Sequence, residues 1–163
     1  MGAAVTKHVR AAGDADSDAV IALVRECWTQ YPGVVFDLDG ELAELRDFAG
    51  YYRALEGEAW VAELDGRVVG CIAILPEDQP GVWMLHKLNV SPSARRRGIA
   101  SALVREAEAA ARARDAVRMV LWSDTRFIES HALYASLGYE KIPVTRELGD
   151  RSNTVEFRFR KSL

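Results

Sequence analysis

Leu88-Asn89-Val90-Ser91-Pro92-Ser93-Ala94-Arg95-Arg96-Arg97-Gly98-Ile99-Ala100-Ser101 is the stretch from which the rest of the chain can be read. An apolar, extended run from Val82 closes at Val90, Ser91-Pro92 breaks it, and small residues open a helix at Arg97-Gly98. A helix N-terminus carries N–H groups without intrahelical partners and the positive end of the macrodipole, which together suit a phosphate. Gly98 removes the Cβ that would hold a pyrophosphate off the backbone, and Ala100 and Ser101 keep the approach open. Arg95, Arg96 and Arg97 add positive potential and guanidinium donors. The chain contains neither Gly-x4-Gly-Lys-Ser/Thr nor Gly-x-Gly-x-x-Gly, so the P-loop and the dinucleotide fingerprint do not account for it. These residues point to a phosphate-bearing ligand without naming it. A merely solvated basic turn is the competing reading.

On the N-terminal side, Thr6 to Ala11 reads as a short opening strand, followed by Asp14, Asp16 and Ser17 as alternative N-caps of a helix through about Tyr31. Val20, Val24, Cys27 and Tyr31 form its apolar face, and Pro32-Gly33 ends it. A second helix is expected from about Glu41 to Leu55, with Leu42, Leu45, Phe48, Tyr52 and Leu55 on one side. Ala59 to Leu64 and Arg67 to Leu75 are strand-like and joined by Asp65-Gly66, which favours a type I′ turn; with Val82 to Val90 they suggest an antiparallel meander. On the C-terminal side a helix from about Arg97 to Arg114 turns Ile99, Ala102, Leu103, Ala107 and Ala110 to a sheet. Glu108 and Arg112 pair on its outer face. Arg118 to Trp122 reads as a buried strand, and Arg126 to Leu137 as a helix closed by Gly138. Tyr139 to Thr145 and Thr154 to Arg160 form a last hairpin-like pair. With no repeat and no linker, this is a single α/β domain with a mixed sheet.

Composition sets the outer limits. The 163 residues fit one domain, and 49% hydrophobic with 28% charged residues excludes a disordered chain. A formal charge of −3 excludes a globally basic nucleic-acid binder. A local patch of Arg95–Arg97 with Arg105, Arg112 and Arg114 shares its helix with acidic residues. No apolar run approaches the roughly 18 residues a bilayer demands, and no signal-peptide core follows Met1. No nucleic-acid or membrane partner is therefore expected. Cys27 and Cys71, both in apolar stretches, read as buried free thiols of a reducing, cytoplasmic location rather than a disulfide. His8, His86 and His131 are too scattered for zinc spacing, so no metal is expected. Met1 to Thr6 formally fits a myristoylation pattern and is read as a chance match. Asp37-Leu38-Asp39-Gly40-Glu41 lacks a third acidic calcium ligand, and its glycine falls too early, leaving an acidic surface loop.

Two motifs carry a resemblance. Arg95-Arg96-Arg97-Gly98-Ile99-Ala100 resembles the Gln/Arg-x-x-Gly-x-Gly/Ala signature of the GCN5-related N-acetyltransferases, with a strand ending at Val90 before it. Leu133-Tyr134-Ala135-Ser136-Leu137-Gly138-Tyr139 is similar to the family's Leu-Tyr-x-x-x-Gly-Phe/Tyr element, a helix and a strand further on. The resemblance implies one N-acetyltransferase domain over 1–163, with the signature region at about 82–140. Its fold would be a mixed, mostly antiparallel sheet of about seven strands flanked by about four helices. It also implies acetyl-CoA as cofactor, coenzyme A as product, and direct transfer to a primary amine on a small molecule or peptide. A non-catalytic acyl-CoA-binding module is the alternative, and the oligomeric state is left open, with a homodimer as one arrangement.

Site roles follow from the resemblance in the same way. The backbone of Leu88, Asn89 and Val90, at a bulge, would meet the pantetheine arm and acetyl carbonyl, and Arg95 through Ser101 the pyrophosphate. Tyr134 would be the general acid for the leaving thiolate, with a packing tyrosine as the plain alternative. Where many relatives carry an asparagine this chain has Phe127, with Asp124, Arg126 and Glu129 as nearby polar substitutes. His131, one turn before Tyr134, faces either cofactor or solvent. His86, whose unperturbed pKa lies near neutrality, is the candidate base, and regular alternation puts it on Leu88's face unless a bulge reverses this. Asp37, Asp39 and Glu41 are the competing relay and would attract a cationic acceptor.

Overall fold

A computed structural model describes residues 6–163; the myristoylation-like match lies outside the described residues except for Thr6. Seven strands form one sheet: β1 (Lys7–Ala11), β2 (Glu58–Leu64), β3 (Arg67–Pro76), β4 (Val82–Val90), β5 (Arg118–Asp124), β6 (Glu140–Glu147) and β7 (Val155–Ser162). Their order is β1-β2-β3-β4-β5-β7-β6, and every neighbouring pair is antiparallel except β4–β5. Helices α1 (Ser17–Trp28) and α2 (Phe48–Ala54) cover one face, while α3 (Ile99–Ala113) and α4 (Ile128–Ser136) serve the other. Both Asp65 (φ 51°) and Gly66 (φ 79°) are left-handed, as a type I′ turn requires.

Three sequence expectations need correction. The helix expected over Glu41–Leu55 is two pieces: a 3₁₀ segment Ala43–Asp47, then α2. Asp47 breaks the run at φ −139°, ψ 63°, and its carboxylate accepts from Gly50 N–H as a fresh N-cap. Helix α1 stops at Trp28, short of Tyr31. The Thr29 hydroxyl and Gln30 amide donate to carbonyls of its last turn, so these side chains cap the helix that periodicity alone would extend.

The third concerns Glu108. It pairs with Arg112 at 3.6 Å, yet it is 3% exposed rather than on an outer face. Tyr139 Oη and Lys161 Nζ both donate to it at 3.0 Å, tying α3 to the chain after α4 and to β7. A buried carboxylate is tolerable only with such partners. Glu108→Ala should therefore cost about 2 kcal/mol, less than a fully buried pair because Lys161 can turn to water. A thermal melt lowered by several degrees checks this; an unchanged melt would show the network contributes nothing.

What positions the site is the parting of β4 from β5. Their parallel pairing runs only from Val82–Met84 against Arg118–Val120. Beyond it each strand keeps its outer partner, so the ladder opens into a cleft at the C-terminal ends of both strands.

Candidate active site

A bulge shapes the β4 wall. Cys71 stands opposite Asn89 and Ala73 opposite His86, so Lys87 and Leu88 together face Ile72, and Lys87 takes φ 56°. This extra residue reverses the alternation. His86 packs at 5.8 Å from Tyr52 on the α1–α2 side, whereas Leu88 and Val90 pack on the α3 side. Regular alternation would have put His86 on Leu88's face; the bulge reverses it. Ser91 N–H donates to Val69 C=O, so ladder alternation turns the Val90 N–H and C=O towards the gap. The Cys27 thiol donates to Val90 C=O at 3.3 Å, the Cys71 thiol to Lys87 C=O at 3.1 Å, and Lys87 Nζ pairs with Glu44 at 2.9 Å.

The cleft encloses about 820 Å³. Leu88, Asn89, Val90, Arg95, Arg96, Ala100 and Tyr134 line it, as do His86 and Glu41. Arg97, Gly98, Ser101 and His131 are not in its lining, and the Ile99 side chain is buried in the core. At the turn, Arg96 (φ 62°) and Gly98 (φ 72°) are both left-handed, with Gly98 the N-cap of α3. A Cβ on Gly98 would meet only Lys7 Nζ, at 3.6 Å, so conformation rather than crowding within the fold calls for glycine here. The first N–H of the helix to find an intrahelical acceptor is that of Ala102, which bonds Gly98 C=O. The N–H groups of Ile99, Ala100 and Ser101 are thus left for a ligand or water.

The guanidinium of Arg95 bridges Gln30 Oε1 (3.4 Å) and Glu129 Oε2 (3.3 Å), tying the end of α1 to α4. Beside it Phe127, the departure from the usual asparagine, packs tilted against Tyr31 with ring centroids 4.6 Å apart. The polar neighbours are already engaged: Arg126 grips Asp124 through Nε and Nη2, at 2.9 and 2.7 Å, and Glu129 holds Arg95.

Tyr134 is 5% exposed, with its ring against Tyr139 and Phe159 at 5.8 and 5.5 Å. Among the described residues nothing hydrogen-bonds its hydroxyl, and burial pushes the phenol pKa up. His131 is half-buried and outside the cleft lining: its Nε2 contacts Ser123 Oγ (3.1 Å) and Asp124 C=O (2.9 Å), and its ring packs on Phe157 and Phe159.

Burial, then the charges of Lys87 and Arg146, push His86 down to about 4, which weakens it as a base at neutral pH. The same depression predicts a pH effect on stability. Between about 4 and 6.5 the unfolded chain binds the proton and the folded one does not, so stability rises with pH across that window and is lost on acidification. We expect a loss of about 2 kcal/mol from pH 7 to pH 4 that His86→Gln removes, read by denaturant melts at both pH values. An identical pH dependence in the variant would contradict this environment for His86.

Of the three acids, Asp39 is exposed and paired with Arg46, while Asp37 pairs with Arg151 at 3.5 Å and accepts from Gly40 N–H. Only Glu41 lines the cleft, and its carboxylate accepts from Arg151 N–H at 2.8 Å. Sequence reasoning missed Trp122 and Arg146 on the same wall. The Arg146 guanidinium lies 4.3 Å over the Trp122 ring and pairs with Glu156 at 2.7 Å. These residues come from three strands, and no local pattern signals their meeting. Among the described residues no group of three or more His, Cys, Asp or Glu stands together as a metal site. No helix there is long and apolar enough to cross a membrane.

The profile described as the acetyltransferase (GNAT) family matches residues 18–139. The chain belongs to this family. Human N-acetyltransferase 8 is 33% identical to this GNAT chain over 124 residues, covering 73% of it and 52% of the human protein. The chain thus spans about half the length of that curated relative. Among solved structures, a GNAT-family acetyltransferase from Staphylococcus aureus Mu50 superposes with a TM-score of 0.84 at 16% identity, covering 97% of this chain and 99% of that one. An N-acetyltransferase from Thermoplasma acidophilum in complex with coenzyme A superposes at 0.73 and 16% identity, over 97% and 99% of the two chains. The expected single α/β GNAT fold, with its mostly antiparallel seven-stranded sheet and four helices, is what the structure has.

Proposed function

We propose that the chain is an acetyl-CoA-dependent N-acetyltransferase that moves the acetyl group directly to a primary amine. The observation that carries this reading is the opening of β4 from β5 beside a helix start with unpaired N–H groups. The residues present suit the cofactor. Ile99 to Ser101 and Arg96 offer donors for a pyrophosphate, and the gap-facing Val90 backbone offers a strand-like partner for an amide-bearing arm. Acetyl-CoA supplies a thioester carbonyl that an amine can attack.

The chain's own work is then positioning and proton management. The acceptor amine, neutral once it has released a proton to solvent, bonds the acetyl carbon as the C–S bond breaks; its second proton then leaves the nitrogen for water, and Tyr134 donates a hydrogen bond to the departing thiolate, which water protonates. With His86 unprotonated at neutral pH and weakly basic, the amine's own ionisation governs the profile. Activity should rise between about pH 6 and 9, with no inflection from His86. A covalent route through cysteine is disfavoured: burial pushes Cys27 up to about 11 and Cys71 to about 12, and both thiols are buried.

An amine screen with acetyl-CoA, read by free-thiol release, tests the activity. Amine-dependent release is expected, and intact mass spectrometry after acetyl-CoA alone should show neither cysteine acetylated. A stoichiometric acetyl-cysteine discharged by amine would overturn direct attack. Tight acetyl-CoA binding without turnover on any amine would favour the non-catalytic module.

A further inference from the structure

On the α1–α2 side of the sheet, past the bulge, the cleft wall mixes acidic and basic side chains, and its carboxylates are hydrogen-bonded within the fold. Glu41 accepts from Arg151 N–H, Glu44 holds Lys87, Asp124 is gripped by Arg126, and Asp150 accepts from Thr154 through both N–H and hydroxyl. Each carboxylate near the acceptor end thus already has its donors.

Arg146 differs. Its Nε and Nη2 both go to the single oxygen Glu156 Oε1 at 2.7 Å, and its Nη1 has no partner among the described residues. The side chain is 44% exposed and lines the cleft. A second guanidinium, Arg158, lies 4.6 Å over the same Trp122 ring, with no ion pair among the described residues. The two cations sit close enough for Arg146 to lower the pKa of Arg158, after burial, and Arg146 also bears on His86 across the gap. Glu77 also bears on Arg158, and Arg158 is not in the cleft lining, so the guanidinium with an open edge at this end of the cleft is that of Arg146, opposite the β4 bulge.

Resting on the acetyltransferase reading, we propose that the acceptor amine also carries a carboxylate, which docks on the open edge of Arg146 above the Trp122 ring. Arginine's planar fork suits this: one edge is spent on Glu156, the other remains for a carboxylate, and the indole beneath holds the plane. The amine end of such a molecule then lies towards His86 and Lys87, where β4 bulges beside the gap. Small amino acids are the substrate class with this chemistry.

The test compares L-phenylalanine with phenethylamine and phenylalaninamide, and L-leucine with isopentylamine and leucinamide, by thiol release from acetyl-CoA. We expect kcat/KM at least about tenfold higher for the acids. Amidation lowers the amine pKa and so increases its reactive neutral fraction; a slower amide therefore cannot be blamed on protonation. Arg146→Gln, which keeps a flat amide on Trp122, should raise KM for the acids about tenfold while sparing the uncharged-tail amines and acetyl-CoA affinity. Arg146→Lys should recover part of the loss.

Equal or better turnover of the decarboxylated amines, or an Arg146→Gln effect common to all acceptors, would overturn the proposal. So would a failure of every acid to release thiol. Acetyl-CoA titration by calorimetry and thiol release with the amines then separate the two readings. Binding with amine turnover leaves the acetyltransferase reading standing, and loss of both removes it.

Discussion

Tyr134→Phe lowers kcat about a hundredfold while acetyl-CoA affinity stays within about twofold. The ring is wedged against Tyr139 and Phe159, and phenylalanine reproduces that packing, so only the hydroxyl is lost. Burial raises the phenol pKa, which keeps it protonated at any working pH and makes it a permanent donor. The same shift argues against complete proton transfer. A thiolate with a reference pKa near 8.5 does not strip a phenol whose own pKa lies above about 10, so the hydroxyl stabilises the departing sulfur by hydrogen bonding. Removing one such oriented donor costs roughly 10²–10³-fold, and a thiolate is a tolerable leaving group, which places the effect at the low end. Single-turnover kinetics under saturating acetyl-CoA read the chemical step. A parent-like rate there would make Tyr134 a packing residue and leave the sulfur to water.

The parts of the fold that were legible in the sequence are those decided by neighbours along the chain. Asp65-Gly66 specifies its own turn because both residues must be left-handed. The Arg95–Ser101 turn announces a helix start because Ser91-Pro92 ends a strand and Gly98 supplies the left-handed cap. Features decided by distant partners were not legible. The β4 bulge exists only by counting Lys87 and Leu88 against Ile72, and it moves His86 to the other face and into burial. Glu108 reads as an outer-face residue from its own helix, since Tyr139 and Lys161 lie 31 and 53 residues away. Asp47 hides inside an apparently continuous helical pattern because its cap role depends on local dihedrals. In the site, Val90 and Ala100 were found from the signature, whereas Arg146 and Trp122 meet only through β5, β7 and β6 lying side by side.

The pyrophosphate position at the α3 N-terminus is the claim on which the rest depends, and Ala100→Asp tests it with little risk to the fold. Ala100 is the second residue of α3 and lines the cleft. An aspartate there faces the positive end of the helix macrodipole and should leave stability unchanged or raise it by a few tenths of a kcal/mol. It also sets a carboxylate against the phosphate oxygens that the same N–H groups would hold. A single like charge about 5 Å away costs several kcal/mol at an effective dielectric constant near 20, enough to weaken binding a hundredfold or more. Calorimetric titration of acetyl-CoA into the folded variant and its parent, at equal ionic strength, is the direct measurement. The account predicts at least about a hundredfold rise in Kd with an unaltered thermal melt; an unchanged Kd in a folded Ala100→Asp protein would contradict it.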